Sequence, residues 1–99
     1  MLTKKSFKKC KALWLLYEGD ASKIKADHVE AVGDILAMMR AGSTLADVDL
    51  PGYRLHPWHG TAKKKAKIWS LDVSGNVRVL FSLDEDTGLF YDLDYGNFK

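Results

Sequence analysis

Ninety-nine residues can bury one hydrophobic core but not two, so the chain reads as a single domain spanning residues 1–99. Hydrophobic residues make up 46% and charged residues 28%, a balance that excludes a disordered tail and predicts a folded protein. The net charge of +2 conceals a polarity: Arg54, Lys63, Lys64, Lys65 and Lys67 share a stretch without an acid, whereas Asp84, Glu85, Asp86, Asp92 and Asp94 crowd the end. Such an asymmetry suits a polyanionic partner; the plainer reading of the lysine run is a solvated loop.

Lysines precede the apolar run from Ala12 to Tyr17 much as in a secretory leader, but the run is too short and no small-residue cleavage site follows. The spacing predicts a first amphipathic helix from Phe7 to Glu18, with Phe7, Cys10, Leu13, Trp14, Leu16 and Tyr17 recurring at three- and four-residue steps. Ser6 is its expected cap and Gly19 its stop. Cys10 lies on the apolar stripe and reads as a buried thiol; as the single cysteine it rules out an internal disulfide and fits a reducing, cytoplasmic setting. A second helix is expected from Asp27, with Glu30 completing a capping box and Val29, Val32, Leu36 and Met39 on one stripe up to Gly42. Trp14, Leu15, Met38 and Met39 read as helix core or partner surface. Between Ser43 and Leu50 a short helical turn capped by Ser43 or Thr44 precedes the break at Pro51 and Gly52.

Beyond Pro51 the apolar period drops to two, in Trp69, Leu71 and Val73, then Val77, Val79 and Phe81, then Leu89, Tyr91, Leu93 and Tyr95. These predict three antiparallel strands, and Tyr53 to Trp58 a fourth, at an edge because Pro57 cannot donate to a ladder. A loop of Ser74, Gly75 and Asn76 would pair Val73 with Val77, Leu71 with Val79 and Trp69 with Phe81. A loop from Asp84 to Gly88 would pair Phe81 with Tyr91, Val79 with Leu93 and Val77 with Tyr95. The opposite, polar face then carries Asp72, Arg78 and Asp94 side by side. The expected fold class is α+β, with two N-terminal helices packed on one face of a mostly antiparallel sheet of about four strands. No stretch approaches the ~20 apolar residues of a membrane span.

Three segments carry a resemblance to a known family: Leu50-Pro51-Gly52-Tyr53-Arg54-Leu55-His56-Pro57, Ile68-Trp69-Ser70-Leu71-Asp72-Val73-Ser74-Gly75-Asn76-Val77-Arg78-Val79, and Tyr91-Asp92-Leu93-Asp94-Tyr95. Together they resemble the HigB branch of the RelE toxin superfamily. The resemblance implies a RelE-like fold and the toxin of a type II toxin-antitoxin system, a metal-independent, ribosome-dependent endoribonuclease (an mRNA interferase) that needs no cofactor. Its implied partners are the ribosome and messenger RNA, and a cognate antitoxin that holds it in a hetero-oligomeric complex. His56 falls on the family's catalytic histidine and Arg78 on its phosphate-holding arginine. The bland readings are a strand histidine bonded to the sheet edge and a structural ion pair of Arg78 with Asp72 and Asp94. His59 stands where family members carry lysine. The family's Asp-Tyr-His ending is here Asn97-Phe98-Lys99, so Lys99 is the remaining catalytic candidate there.

Arg54, Trp58, Lys63, Lys64, Lys65, Lys67 and Phe98 are candidates for RNA contact, with Trp58 equally suited to packing beneath a loop. No metal site is expected, since His56 and His59 flank a Pro-Trp break and no other ligand spacing appears. Two alternatives remain open: a ParE-like toxin that inhibits gyrase by protein binding, and a catalytically weakened relative that retains only binding.

Overall fold

In the computed structural model, residues 1–58 and 67–98 are described. The sequence folds into two α-helices, α1 (Lys11–Tyr17) and α2 (Val29–Ala41), followed by four antiparallel strands: β1 (His56–Pro57), β2 (Trp69–Ser74), β3 (Val77–Asp84) and β4 (Leu89–Asn97). The strands lie in the order β1-β2-β3-β4, each beside its neighbour in sequence. The α+β class is as the residue periods predict, whereas the edge strand expected over Tyr53 to Trp58 forms only at His56–Pro57. No helix among the described residues is long and apolar enough to cross a membrane.

Leu13 of α1, Val32, Ile35, Leu36 and Met39 of α2, and Leu71, Val79, Phe81, Phe90 and Leu93 of the sheet form one buried cluster. Phe81 and Phe90 meet edge to face at 5.6 Å, a geometry that adds electrostatic attraction to area burial. Cys10 is buried in the same cluster, as its place on the apolar stripe implies.

The helix starts differ from expectation. Ser6 does not cap α1; it sits in a separate 3₁₀ turn, Lys4–Phe7, where its hydroxyl accepts the Thr3 N–H at 3.0 Å. Cys10 then takes an extended conformation and α1 begins at Lys11. The Asp27 capping box is also absent, because the chain enters α2 through a 3₁₀ turn, Ala26–His28, which encloses Asp27. The turn capped by Thr44 is present at Leu45–Val48. There Asp47 Oδ2 accepts the N–H groups of Ser43 (2.8 Å) and Thr44 (2.9 Å) and the Thr44 hydroxyl (3.0 Å).

These bonds, the Ser43 N–H first, hold the Asp47 carboxyl below its ordinary value of 3.8. A carboxyl depressed by folding adds stability above its unfolded value, and that stability is lost as pH falls through the lower folded value. Asp47→Asn should therefore lower the melting temperature at pH 7 and flatten its decline below about pH 4; melts recorded between pH 2 and 7 check this.

Both hairpins carry a bulge that the alternation does not reveal. In the first, Leu71 faces Val79 and Trp69 faces Phe81 as expected, but Ser74 pairs with Val77 around a two-residue turn, leaving Val73 as the extra residue. In the second, Val79 pairs with Tyr95 instead of Leu93, and Val77 with Asn97 instead of Tyr95, a shift of two residues. That shift preserves the faces. Nearer the turn a further irregularity pairs Ser82 with Tyr91, and Asp92 adopts φ +52°. The irregularity changes the side-chain parity, so Phe90, and not Tyr91, is fully buried with Leu93.

The outer edge of β4 is covered by the chain's first residues. The Phe90 N–H donates to the Met1 carbonyl at 3.0 Å, and the Met1 ammonium donates to the carbonyls of Gly42 and Gly88. Gly88 has φ +76°, and a Cβ built there would lie 2.6 Å from Ser43 Cβ. Left-handed strain and overpacking add, so Gly88→Ala is expected to cost roughly 2–3 kcal/mol in chemical unfolding.

Candidate functional site

The sheet face turned away from the core cluster is built by cross-strand rows. One row runs His56, Ser70, Leu80, Asp94; the next sets Asp72 against Arg78 and Arg78 against Gly96. His56 and Arg78 therefore share a face in neighbouring rows. Asp94 is not beside Arg78, a correction that follows from the two-residue shift: the position expected for Asp94 is held by Gly96.

Arg78 is only 17% exposed and is fixed on several sides. Its Nη1 bonds Asp72 Oδ1, its Nε donates to the Phe98 carbonyl at 3.3 Å, and its guanidinium carbon lies 5.3 Å from the centre of the Trp58 ring. Asp72 also takes an ion pair from Arg54 at 3.4 Å. Two arginines around one carboxylate leave a net charge of +1. It is presented at the surface by Arg54, whose side chain is 79% exposed. Among the described residues Arg78 Nη2 makes no hydrogen bond. The ion-pair reading of Arg78 is thus half realised, with Asp72 and without Asp94.

His56 is oriented by the backbone. Its Nδ1 lies in hydrogen-bond contact with the Arg54 carbonyl. A carbonyl only accepts, so Nδ1 carries the proton and a neutral ring presents Nε2 as a base. Arg54 adopts φ +50°, a left-handed conformation uncommon for a residue with a long side chain, and it is this residue whose carbonyl meets the imidazole. The segment is tied to the sheet by the Asp72 N–H to the Tyr53 carbonyl (2.7 Å) and the Trp58 N–H to the Ile68 carbonyl (2.8 Å). Trp58 meets Phe98 edge to face at 6.2 Å, and the Phe98 N–H donates to the Asn76 carbonyl at 2.9 Å, folding the chain's end over the same corner. Trp58 is half-buried in this contact, which is closer to the packing reading than to an open stacking platform.

Five residues singled out in the sequence, Arg54, His56, Trp58, Arg78 and Phe98, thus meet at one end of the polar face. Lys67 does not join them. Its ammonium lies 4.7 Å from the centre of the Trp69 ring, in a recess shared with Asp84, Glu85 and Asp86. Those acids offset its charge. His59, Lys63, Lys64, Lys65 and Lys99 lie outside the described residues.

Two polar features were not foreseen. Ser70, whose Cα pairs with that of His56, is fully buried and its hydroxyl has no hydrogen-bond partner among the described residues. An alternating strand gives no signal for such an orphan. On the core side, the buried His28 has its Nδ1 2.8 Å from the hydroxyl of the half-buried Tyr95, separated from the site by the sheet. Among the described residues no three His, Cys, Asp or Glu side chains gather as a metal ion requires.

Comparison with curated proteins finds no match. A family profile described as the RelE-like toxin of the type II toxin-antitoxin system HigB matches residues 5–95, nearly the whole chain, with β1 to β3 and most of β4. The chain belongs to the HigB-like toxin family, and with it to the toxins of type II toxin-antitoxin systems.

Proposed function

We propose that the chain is a metal-independent endoribonuclease that cuts messenger RNA on the ribosome. The observation that carries this reading is a histidine with its Nδ1–H anchored on the backbone, on the same sheet face as an arginine whose Nη2 makes no hydrogen bond among the described residues. In the proposed step, His56 Nε2 takes the proton of a ribose 2′-hydroxyl. The 2′-oxygen bonds to the adjacent phosphorus, the bond from phosphorus to the 5′-oxygen breaks, and that oxygen is protonated as it leaves. The products are a 2′,3′-cyclic phosphate and a 5′-hydroxyl end. Arg78 and Arg54 meet the charge that grows on the phosphate, an effect strongest where donors are already oriented and water is scarce. His59 and Lys99 are the proposed proton donors to the leaving oxygen. Lys63, Lys64 and Lys65 are proposed to hold the RNA backbone.

An antitoxin protein is the partner that the family implies, and a hetero-oligomeric complex with it is part of the proposal. A second reading rests on the bonds that Arg78 makes to Asp72 and the Phe98 carbonyl, which are also how a purely structural arginine is held. It makes the chain a ParE-like toxin or a weakened relative that acts by binding protein. Mapping message ends in a purified translation system separates the two. Discrete cuts with 5′-hydroxyl ends are expected; intact messages together with impaired gyrase supercoiling would support the second reading.

A further inference from the structure

The largest concentration of positive charge lies away from the site just described. Lys4, Lys5, Lys8, Lys9 and Lys11 fall before the first acid of the chain, Glu18, and all five are exposed. With a net charge of only +2 for the whole chain, these five outweigh it, and everything after them is net acidic. No ion pair is made by any of the five among the described residues. Four of them, Lys4, Lys5, Lys8 and Lys11, rim a groove of about 870 Å³ whose floor is Phe7 and Trp14. The 3₁₀ turn and α1 that carry the groove are separated by the extended Cys10, so the lysines project from two short elements instead of one. Lys9 is the exception; it lines a small recess on the polar sheet face with Ile68, Leu80, Ser82, Asp92 and Asp94, whose two carboxylates offset its charge.

From this arrangement we infer that the groove is a second binding site, for the sugar-phosphate backbone of RNA, with Trp14 offering its ring to an unpaired base. Lysine ammonium groups on flexible stems act as point charges that follow a phosphate chain without reading sequence. Their stems give the groove its apolar walls while the charges stay in water. Trp14 is half-buried against Phe7 at 5.5 Å and Tyr17 at 6.2 Å, which fixes the ring; the Lys4 ammonium 6.0 Å from its centre belongs to an exposed side chain that a base can displace. An acidic protein segment would meet the same rim. RNA is favoured because the four lysines surround the Trp14 ring, on which a base can stack and an acidic side chain cannot. The inference goes beyond that cleavage reading and does not depend on which groups carry the chemistry.

The test is fluorescence anisotropy with a labelled, fully 2′-O-methylated oligouridylate, which cannot be cut by 2′-hydroxyl attack, so binding is read apart from cleavage. Lys4→Ala/Lys5→Ala/Lys8→Ala/Lys11→Ala is expected to weaken binding at least tenfold near 0.1 M salt. It should also reduce the slope of log affinity against log salt by about 2 to 3, since each phosphate contact on a single strand contributes roughly 0.7. Trp14→Leu should weaken binding by about fivefold or more, as loss of one stacked base does, with the salt slope unchanged. Circular dichroism and melting of each variant guard against misfolding. Affinity and salt slope equal to wild type in the quadruple variant would overturn the inference. So would a groove that loses poly-L-glutamate but not RNA in that variant, which would make the partner an acidic protein. Loss of the site proposal is read separately, by message cutting in His56→Ala with oligouridylate binding intact.

Discussion

Replacing His56 with alanine is expected to lower message cutting by about 10²–10⁴-fold, the range that one general acid or base contributes. The protein should remain folded, because His56 lies on the short edge strand and not in the buried core cluster. The expected control is His56→Gln, which can keep a hydrogen bond but takes up no proton near neutral pH; it should be nearly as slow as alanine. Primer extension on a translated message gives both rates. Equal cutting in wild type and both variants would remove His56 from the chemistry.

Arg78→Ala should show two losses at once. Asp72 is only 15% exposed, and without Arg78 it keeps just the exposed Arg54 as a partner. A mostly buried carboxylate that loses its main partner costs about 3 kcal/mol, toward the low end for broken buried pairs because Arg54 remains. Cutting should fall by about 10²–10³-fold, as when one oriented donor to a developing oxyanion is removed. Arg78→Lys separates the two effects. It keeps a positive charge for Asp72, so urea unfolding should show a smaller loss, yet it has no planar fork to serve Asp72 and a phosphate together, so cutting should stay low. A lysine variant that cuts at the wild-type rate would reduce Arg78 to a structural partner of Asp72.

Much of this fold is written in the spacing of its apolar residues. The three- and four-residue steps of Cys10, Leu13, Trp14 and Tyr17 and the two-residue steps from Trp69 to Leu71 and from Val79 to Phe81 locate a helix and two strands, because burial of one face imposes each period. What the period does not encode is where a strand breaks step. Phe90 and Tyr91 are adjacent aromatics, and either can enter the core; the choice falls to Asp92 and its left-handed backbone, a conformation that aspartate tolerates better than most residues. The extra residue at Val73 is hidden in the same way, since its own alternation fits a regular strand.

The site was legible in residue types and in the resemblance of its segments to a toxin family, and illegible where it depends on register. Sequence reasoning sets Arg78 between Asp72 and Asp94, but the displaced second hairpin brings Gly96 there and leaves one carboxylate for two arginines. That difference matters for function, because a guanidinium held by two carboxylates would sit in a cluster without net positive charge, whereas here the cluster keeps one positive charge. The anchoring of His56 on the Arg54 carbonyl has no sequence signal, since it arises from a backbone conformation and not from a side chain. The orphaned Ser70 hydroxyl is invisible for a related reason: serine in a strand is unremarkable until its neighbours close over it.

The proposal stands on His56 and Arg78 acting upon the same phosphate, and a double-mutant cycle reads that directly. Single-turnover cutting would be measured for His56→Gln, Arg78→Lys and the pair together. Groups that share one transition state lose less in combination than the product of their separate losses, so the double variant should be at least about fivefold faster than that product, a coupling of roughly 1 kcal/mol. Losses that simply multiply would mean that imidazole and guanidinium serve different parts of the molecule.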